Sequence, residues 1–152
     1  YFAVEWLDND IDHYFLARQP LPPVAKLRLF NDVVLAVEAL HRCEIFHRDL
    51  KADNLRSAAK ELRRVVVAID LGTAARVDSG ALATGYGHPV GAPAYAAPEA
   101  FCGAAGNRRI AQFTDYYALG CLLYELFNPD YFYVAVNVAN PSLQARLIAV
   151  IQ

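Results

Sequence analysis

The fold and the chemistry of this chain are decided by one stretch, residues 47–54, which reads His-Arg-Asp-Leu-Lys-Ala-Asp-Asn. Within eight residues it places a carboxylate at Asp49, a cation at Lys51 and an amide at Asn54. Two later motifs are interpreted together with this stretch: Asp70-Leu71-Gly72 and Ala97-Pro98-Glu99. A solvated charged turn that holds these residues by chance is the less favoured alternative.

These residue types are the ones that transfer of a phosphoryl group requires. Such a site needs a carboxylate to orient and deprotonate a hydroxyl, oxygen ligands for Mg²⁺, and a cation for the charge that develops on the moving phosphate. Asp49 can be the carboxylate, and Lys51 can be the cation. Asn54 and Asp70 can hold Mg²⁺, which takes a few hard oxygen ligands from a protein and leaves the rest to water and phosphate.

The motifs also carry a resemblance to a known family. H-R-D-L-K-x-x-N at residues 47–54 matches the catalytic loop of eukaryotic-type (Hanks-type) protein kinases, and Asp70-Leu71-Gly72 matches their D-F-G metal motif. The A-P-E at residues 97–99 matches the end of their activation segment, and Asp115 to Gly120 matches their D-x-W-x-x-G helix opening with Tyr for Trp. The chain therefore resembles the C-terminal lobe of a protein kinase of the Ser/Thr branch, beginning at the hinge.

The resemblance implies an α+β fold, with a mainly helical large lobe and a small β element beside the active site. Residues 1–152 would be a partial kinase domain, and most of the small lobe would be absent. Its parts would be the last small-lobe strand and hinge (1–7), the catalytic loop (47–54), the activation segment (70–99) and a buried central helix (114–127).

The resemblance also implies the site residues. Asp49 would be the catalytic base, Lys51 would steady the γ-phosphate of ATP, and Asn54 and Asp70 would hold Mg²⁺. In the hinge, Val4 would be the gatekeeper, and the backbone of Glu5 and Leu7 would bind adenine. An ordinary edge or core strand is the alternative for residues 1–7.

Three further residues have implied structural or regulatory roles. Arg48 would hold a phosphate on the activation segment, although a structural arginine paired with a local carboxylate is the alternative. Asp115 would reach back to the backbone at His47-Arg48, and Glu99 would pair with an arginine farther along the family's chain. We expect His47 to be a packed structural histidine and Asp53 a solvated turn residue. Thr84 is the favoured phosphorylation site by position, among these candidates: Thr73, Ser79, Thr84 and Tyr86.

Three positions depart from the family pattern. Arg56 stands where an apolar residue usually forms the floor of the nucleotide pocket, so either its aliphatic stem faces the base or the alignment is one residue out. Ala92 replaces the threonine whose hydroxyl links the base and the lysine. Leu71 replaces the phenylalanine of D-F-G and is apolar enough to fill the same position.

Local patterns predict the elements between the motifs. A helix is expected from Val24 to Arg42, with four apolar residues at helical spacing: Leu27, Phe30, Val34 and Val37. Strands are expected from Leu55-Arg56 and over residues 64–69, joined by a polar connection at 57–64. A short helix is predicted within residues 10–18, with one apolar face: Ile11, Tyr14 and Phe15. Asn128-Pro129 should end the central helix, and residues 143–151 should begin another.

Bulk properties narrow the class of protein. The 152 residues are 56% hydrophobic and 20% charged with net charge −2, which indicates a globular domain and disfavours a nucleic-acid binder. The longest apolar run, residues 116–127, is too short for a membrane span, and no secretory signal pattern is present. Without a methionine the chain is expected to be a piece of a longer protein. The three cysteines, Cys43, Cys102 and Cys121, are expected to be buried reduced thiols in a cytoplasmic protein.

The predicted function is transfer of the γ-phosphate of ATP to a Ser or Thr hydroxyl of a protein substrate, with ATP and Mg²⁺ as cofactors. The sequence contains no G-x-G-x-x-G loop or strand lysine before the hinge, so the fragment alone should bind ATP weakly. A pseudokinase that serves as a scaffold is the main alternative, supported by Arg56 and Ala92. A small-molecule phosphotransferase is disfavoured by the A-P-E segment. Regulatory domains are possible partners outside this chain.

Overall fold

The computed structural model describes residues 7, 9–60, 63–76, 92–98 and 111–139. Within these ranges the helices are α1 (Pro23–Arg42), α2 (Ala111–Phe127) and α3 (Phe132–Ala139). The strands are β1 (Asn9–Asp10), β2 (Ile45–Phe46), β3 (Leu55–Lys60), β4 (Arg63–Ala68) and β5 (Ala75–Arg76). Single 3₁₀ turns lie at Asp12–Tyr14, Ala52–Asn54, Leu71–Thr73 and Pro93–Tyr95.

Helix α1 has the bounds that its sequence predicts, to within one residue. Pro23 occupies the first turn, where a missing N–H costs nothing, and His41 and Arg42 lie in the last turn near the negative end of the helix dipole. The predicted apolar face is only partly right. Val37 is buried together with Val33, but Leu27 is 54% exposed, because the buried stripe follows Val33 and Val37 instead.

Two small antiparallel sheets position the functional loops. The first has the order β1-β3-β4, with Leu55 opposite Ala68 and Asp10 opposite Arg56. The second pairs β2 with β5. The polar connection predicted for 57–64 is wrong, because pairing continues to Lys60 and Arg63 and shortens the connection to residues 61–62. Asn9–Asp10, just after the strand predicted at residues 1–7, forms the short edge strand β1.

Helix α2 crosses the core of the described part of the chain. Leu122 and Leu126 are fully buried, and they pack in one cluster with residues of α1, β3 and the loop between them, among them Val33, Val37, Leu50 and Leu55. The helix begins at Ala111, earlier than predicted, and ends at Phe127 as predicted. It is not apolar and buried all round, since Phe113, Tyr116 and Phe127 are each more than two fifths exposed.

Several smaller predictions have mixed outcomes. The helix expected within residues 10–18 is a single 3₁₀ turn, although Ile11 and Phe15 are buried as expected. Cys121 is buried, whereas Cys43 is exposed, so the expectation of a buried thiol is wrong there. None of the helices in the described residues is long and apolar enough to cross a membrane.

Other predictions fall on residues outside the described ranges. These are the strand at residues 1–7, of which only Leu7 is described, with the hinge residues Val4 and Glu5, the phosphorylation candidates Ser79, Thr84 and Tyr86, the motif residue Glu99, the thiol Cys102 and the helix at 143–151. They stay predictions, and no observation tests the adenine contact predicted for the backbone of Leu7.

Candidate active site

The loop at residues 47–54 is fixed to the core by one buried carboxylate on α2. Asp115 is fully buried and accepts hydrogen bonds from the backbone N–H of His47 at 2.9 Å and of Arg48 at 2.8 Å. It also accepts from Nε2 of His41, on α1, at 2.8 Å. A buried carboxylate is stable only when such donors replace water. The backbone contact expected for Asp115 is therefore present.

His47 is a structural residue in this arrangement. Its ring is fully buried, Nε2 donates to the carbonyl of Ile69 at 2.9 Å, and Nδ1 accepts from the backbone N–H of Asp49 at 3.3 Å. One ring nitrogen donates and the other accepts, which is the pattern of a neutral imidazole. The histidine thus links the loop to the segment that leads into Asp70.

The Asp49 carboxylate is held from both sides. Oδ2 lies 3.2 Å from Nζ of Lys51 and 3.3 Å from Nδ2 of Asn54, while Oδ1 accepts from the backbone N–H of Ala92 at 2.7 Å. The side chain of Asp49 is 11% exposed. Three donors fix the direction of the carboxylate, which a base that must meet a substrate hydroxyl needs.

Asn54 and Asp70 are brought to the same end of the first sheet. The backbone N–H of Ile69 donates to the carbonyl of Asn54 at 2.9 Å, so Asp70 follows directly after the residue bonded to Asn54. Nδ2 of Asn54 donates to the Asp49 carbonyl at 2.9 Å, which leaves its side-chain oxygen as the atom able to bind a cation. Asp70 is exposed, with left-handed backbone (φ 60°), and its Oδ1 accepts from Gly72 at 3.4 Å.

This donor set fits Mg²⁺. One carboxylate and one amide oxygen are hard ligands, and Mg²⁺ keeps several waters and phosphate oxygens in its octahedral shell. The described ranges contain no cluster of three or more His, Cys, Asp or Glu residues that could form an all-protein metal cage. The ligand chemistry at Asn54 and Asp70 is thus suited to a metal shared with a phosphorylated ligand.

Arg48 joins the loop to the start of the activation segment. Its backbone is left-handed (φ 64°), its side chain is buried, and Nε donates to the carbonyl of Thr73 at 2.7 Å. In return, the Thr73 hydroxyl donates to the carbonyl of His47 at 3.1 Å. The predicted binding of a phosphate by Arg48 stays a prediction.

A buried pair that sequence reasoning missed lies beneath the segment 92–95. The Tyr95 hydroxyl donates to Oε2 of Glu125 at 2.6 Å, and Glu125 is fully buried. Among the described residues, Oε1 of Glu125 is the buried side-chain oxygen that lacks a hydrogen-bond partner. Burial raises the pKa of Glu125 to about 7, and burial together with Glu125 raises the pKa of Tyr95 far above its ordinary value. A glutamate inside an apolar helical run is the one sequence signal that could have indicated this pair.

The structure shows the surroundings of Arg56 and Leu71, two residues that depart from the family's sequence pattern. Arg56 lies in β3 opposite Val67, and its predicted place at the floor of a nucleotide pocket stays a prediction. Nε of its guanidinium pairs with Oδ1 of Asp10 at 2.7 Å. Leu71 is 46% exposed in this chain, and the expectation that it fills the position of the D-F-G phenylalanine stays a prediction.

A cavity of about 240 Å³ opens beside Lys51. Its walls include Phe15, Ala52, Ala92, Tyr95 and Tyr131. Two of the residues that line it, Lys51 and Ala92, contact Asp49, so the cavity lies one residue away from the proposed base.

Comparisons with known proteins agree with this geometry. The family model described as "Protein kinase domain" matches residues 1–147. "Inhibitor of nuclear factor kappa-B kinase subunit beta" of Mus musculus is 36% identical over 101 residues, which is 66% of this chain and 12% of that protein. "Serine/threonine-protein kinase PkaA" of Streptomyces coelicolor is 36% identical over 119 residues, which is 77% of this chain and 21% of that protein.

A solved structure gives the same result. The chain matches one titled "Crystal Structure of the yeast RNA Pol II CTD kinase CTDK-1 complex" with a TM-score of 0.67 and 29% identity, over 84% of this chain and 39% of that chain. The chain spans about an eighth to a fifth of the length of the two curated relatives described above. With the family model matching nearly all of its residues, the chain belongs to the protein kinase family.

Proposed function

We propose that the protein containing this chain transfers the γ-phosphate of ATP to a serine or threonine hydroxyl of a protein substrate. The observation that carries the proposal is the environment of Asp49, whose carboxylate contacts a cation, an amide and a backbone N–H and keeps only a small part of its surface open to solvent. The similarity to serine/threonine kinases supports the same reaction class.

In this proposal each residue has one role. Asp49 accepts a hydrogen bond from the substrate hydroxyl and takes its proton as the oxygen attacks phosphorus. Lys51, held 3.2 Å from Asp49, places its ammonium group where charge develops on the transferred phosphate. Asn54 and Asp70 would hold Mg²⁺, which neutralises phosphate charge when it is bound.

Ala92 does not disconnect the base from the activation segment. The family's threonine hydroxyl is missing there, but the backbone N–H of Ala92 contacts Asp49 directly at 2.7 Å. A pseudokinase would be favoured by the loss of Asp49, Lys51, Asn54 or Asp70, and all four residues are present. The enzyme is therefore the better supported of the two functions.

The test is phosphoryl transfer by the full-length protein. We would compare ³²P transfer from ATP with Mg²⁺ to a generic protein acceptor for the wild type, Asp49→Asn and a matched control, Asp130→Asn, at an exposed position after α2. Transfer should fall about 10²–10⁴-fold in Asp49→Asn and stay unchanged in the control. Wild-type turnover by Asp49→Asn, or nucleotide binding without any transfer in the wild type, would contradict the proposal.

A further inference from the structure

The guanidinium group of Arg56 makes three polar contacts within the protein. Besides the 2.7 Å pair with Asp10, Nη1 donates to the carbonyl of Asp53 at 2.8 Å and to the carbonyl of Leu55 at 3.0 Å. The guanidinium fork is thus folded back along its own strand, and it joins three separate pieces of backbone or side chain. A planar group with several fixed donors is suited to such multiple contacts, whereas an ammonium group is not.

The carbonyl of Asp53 belongs to the 3₁₀ turn Ala52–Asn54, which carries Asn54. This turn ends in the residue whose amide contacts Asp49 at two atoms. Any shift of the Asp53 peptide therefore moves Asn54 relative to Asp49. Arg56 closes this turn from the strand side, and Asp10 of the edge strand β1 holds Arg56 in place.

We propose that Arg56, oriented by Asp10, is a positioning residue that fixes the direction of the Asn54 side chain and so sets the affinity of the site for the metal-bound nucleotide. The inference rests on the proposed function, because it assigns Asn54 to the metal. Arg56 touches neither metal nor nucleotide in this role. It acts through the Asp53 carbonyl, and it connects the chain segment at residues 9–10 to the metal ligand.

The exposure of the pair separates this role from one in stability. The side chain of Asp10 is 60% exposed and that of Arg56 is 24% exposed. Ion pairs that solvent reaches to this extent contribute little to folding, because hydration competes with them. Replacing Arg56 should therefore leave the fold intact, and its effect should be seen in ligand binding.

The experiment measures nucleotide binding with and without metal. Isothermal titration calorimetry on the full-length protein would use the non-hydrolysable analogue adenylyl imidodiphosphate, once with Mg²⁺ and once with EDTA. The variants are Arg56→Leu, Arg56→Lys and Asp10→Asn. The control is Arg42→Leu, which removes another solvent-exposed ion pair, with Glu38, that is confined to α1.

The expected result is a selective loss of metal-dependent binding. In Arg56→Leu the dissociation constant with Mg²⁺ should rise about tenfold, at the lower end of what outer-shell partners of a metal site contribute. Binding in EDTA and the thermal unfolding midpoint should stay unchanged. Arg56→Lys should recover only part of the loss, since an ammonium cannot reach Asp10 and both carbonyls together. Asp10→Asn should lose less, because the two carbonyl contacts persist.

Other outcomes would overturn the proposal. Equal losses with and without Mg²⁺ would mean that Arg56 acts on the nucleotide itself, and wild-type binding by Arg56→Leu would remove its role. If Arg56→Leu unfolds, Asp10→Asn still decides, because it deletes one surface contact only. A wild type that transfers no phosphate and binds no Mg²⁺–nucleotide would refute the proposed function as well. An active wild type matched by Arg56→Leu would refute the positioning role alone.

Discussion

The buried pair of Glu125 and Tyr95 predicts an unusual dependence of stability on pH. The pKa of Glu125 is raised from 4.5 to about 7, chiefly because burial disfavours its ionised form. The hydrogen bond from Tyr95 and the charge of Arg18 lower the pKa, and the charge of Asp53 raises it, but neither lowering contribution outweighs burial. The group therefore stays protonated in the folded protein over a pH range in which the unfolded chain has already released the proton.

The sign and the magnitude follow from proton linkage. Between pH 4.5 and 7 the folded state binds one proton more than the unfolded state at this site, so the free energy of unfolding falls as pH rises. A pKa rise from 4.5 to about 7 corresponds to a loss of about 3 kcal/mol, complete above pH 7. With a urea slope of about 1–3 kcal/mol/M, the unfolding midpoint should shift by about 1–3 M.

Glu125→Gln tests this reasoning, since Gln keeps an acceptor for the Tyr95 hydroxyl and cannot titrate. Urea unfolding followed by circular dichroism at pH 5, 6, 7 and 8 would compare the wild type, Glu125→Gln and a surface control, Glu38→Gln. The wild type and the control should lose stability with rising pH by about 3 kcal/mol more than Glu125→Gln. The comparison uses slopes, so a constant cost of burying the Gln amide does not affect it. Parallel pH dependence in all three proteins would refute the argument.

Two further predictions concern the core around the loop. Asp115→Asn should lower both stability and phosphoryl transfer, because an amide cannot accept from His41 and from the backbone of His47 and Arg48 at once; the cost should be about 3–5 kcal/mol by urea unfolding, and an unchanged midpoint would contradict it. Leu122→Ala, at a fully buried position, should cost about 2–5 kcal/mol, whereas Leu27→Ala, at an exposed position on α1, should cost under about 1 kcal/mol; equal losses in thermal unfolding would show that the burial assignment is wrong.

Some ends of the helices could be predicted from the residues at those ends. Helix α1 begins at a proline and ends after basic residues, and α2 ends before Asn128-Pro129, so both ends could be read from neighbouring residues. The spacing of apolar residues predicted that α1 has a buried face, but it did not predict which residues form that face. Leu27 satisfies the spacing and is exposed, because the direction of the buried face depends on which elements pack against the helix.

The site was predictable where the resemblance supplied long-range information. The contact of Asp115 with the loop joins residues nearly seventy positions apart, and no local pattern predicts it. Tyr95 and Glu125 are thirty residues apart and were missed for the same reason. The contacts of Arg56 depend on the edge strand at Asn9–Asp10, whose pairing with β3 could not be inferred from two polar residues.

Helix α2 provides both of the buried carboxyl groups that hold the loops of the site, Asp115 and Glu125. Asp115 holds the loop 47–54 near one end, and Glu125 holds the segment 92–95 ten residues later, about 15 Å along the axis at 1.5 Å per residue. Inserting or deleting one residue between them would change their separation by about 1.5 Å and rotate one anchor by about 100° about the axis. Both loops could not then dock together. The ten-residue spacing thus sets the distance between the two docked loops. This part of α2 should tolerate substitution at exposed positions such as Gly120, but not the insertion or deletion of a residue.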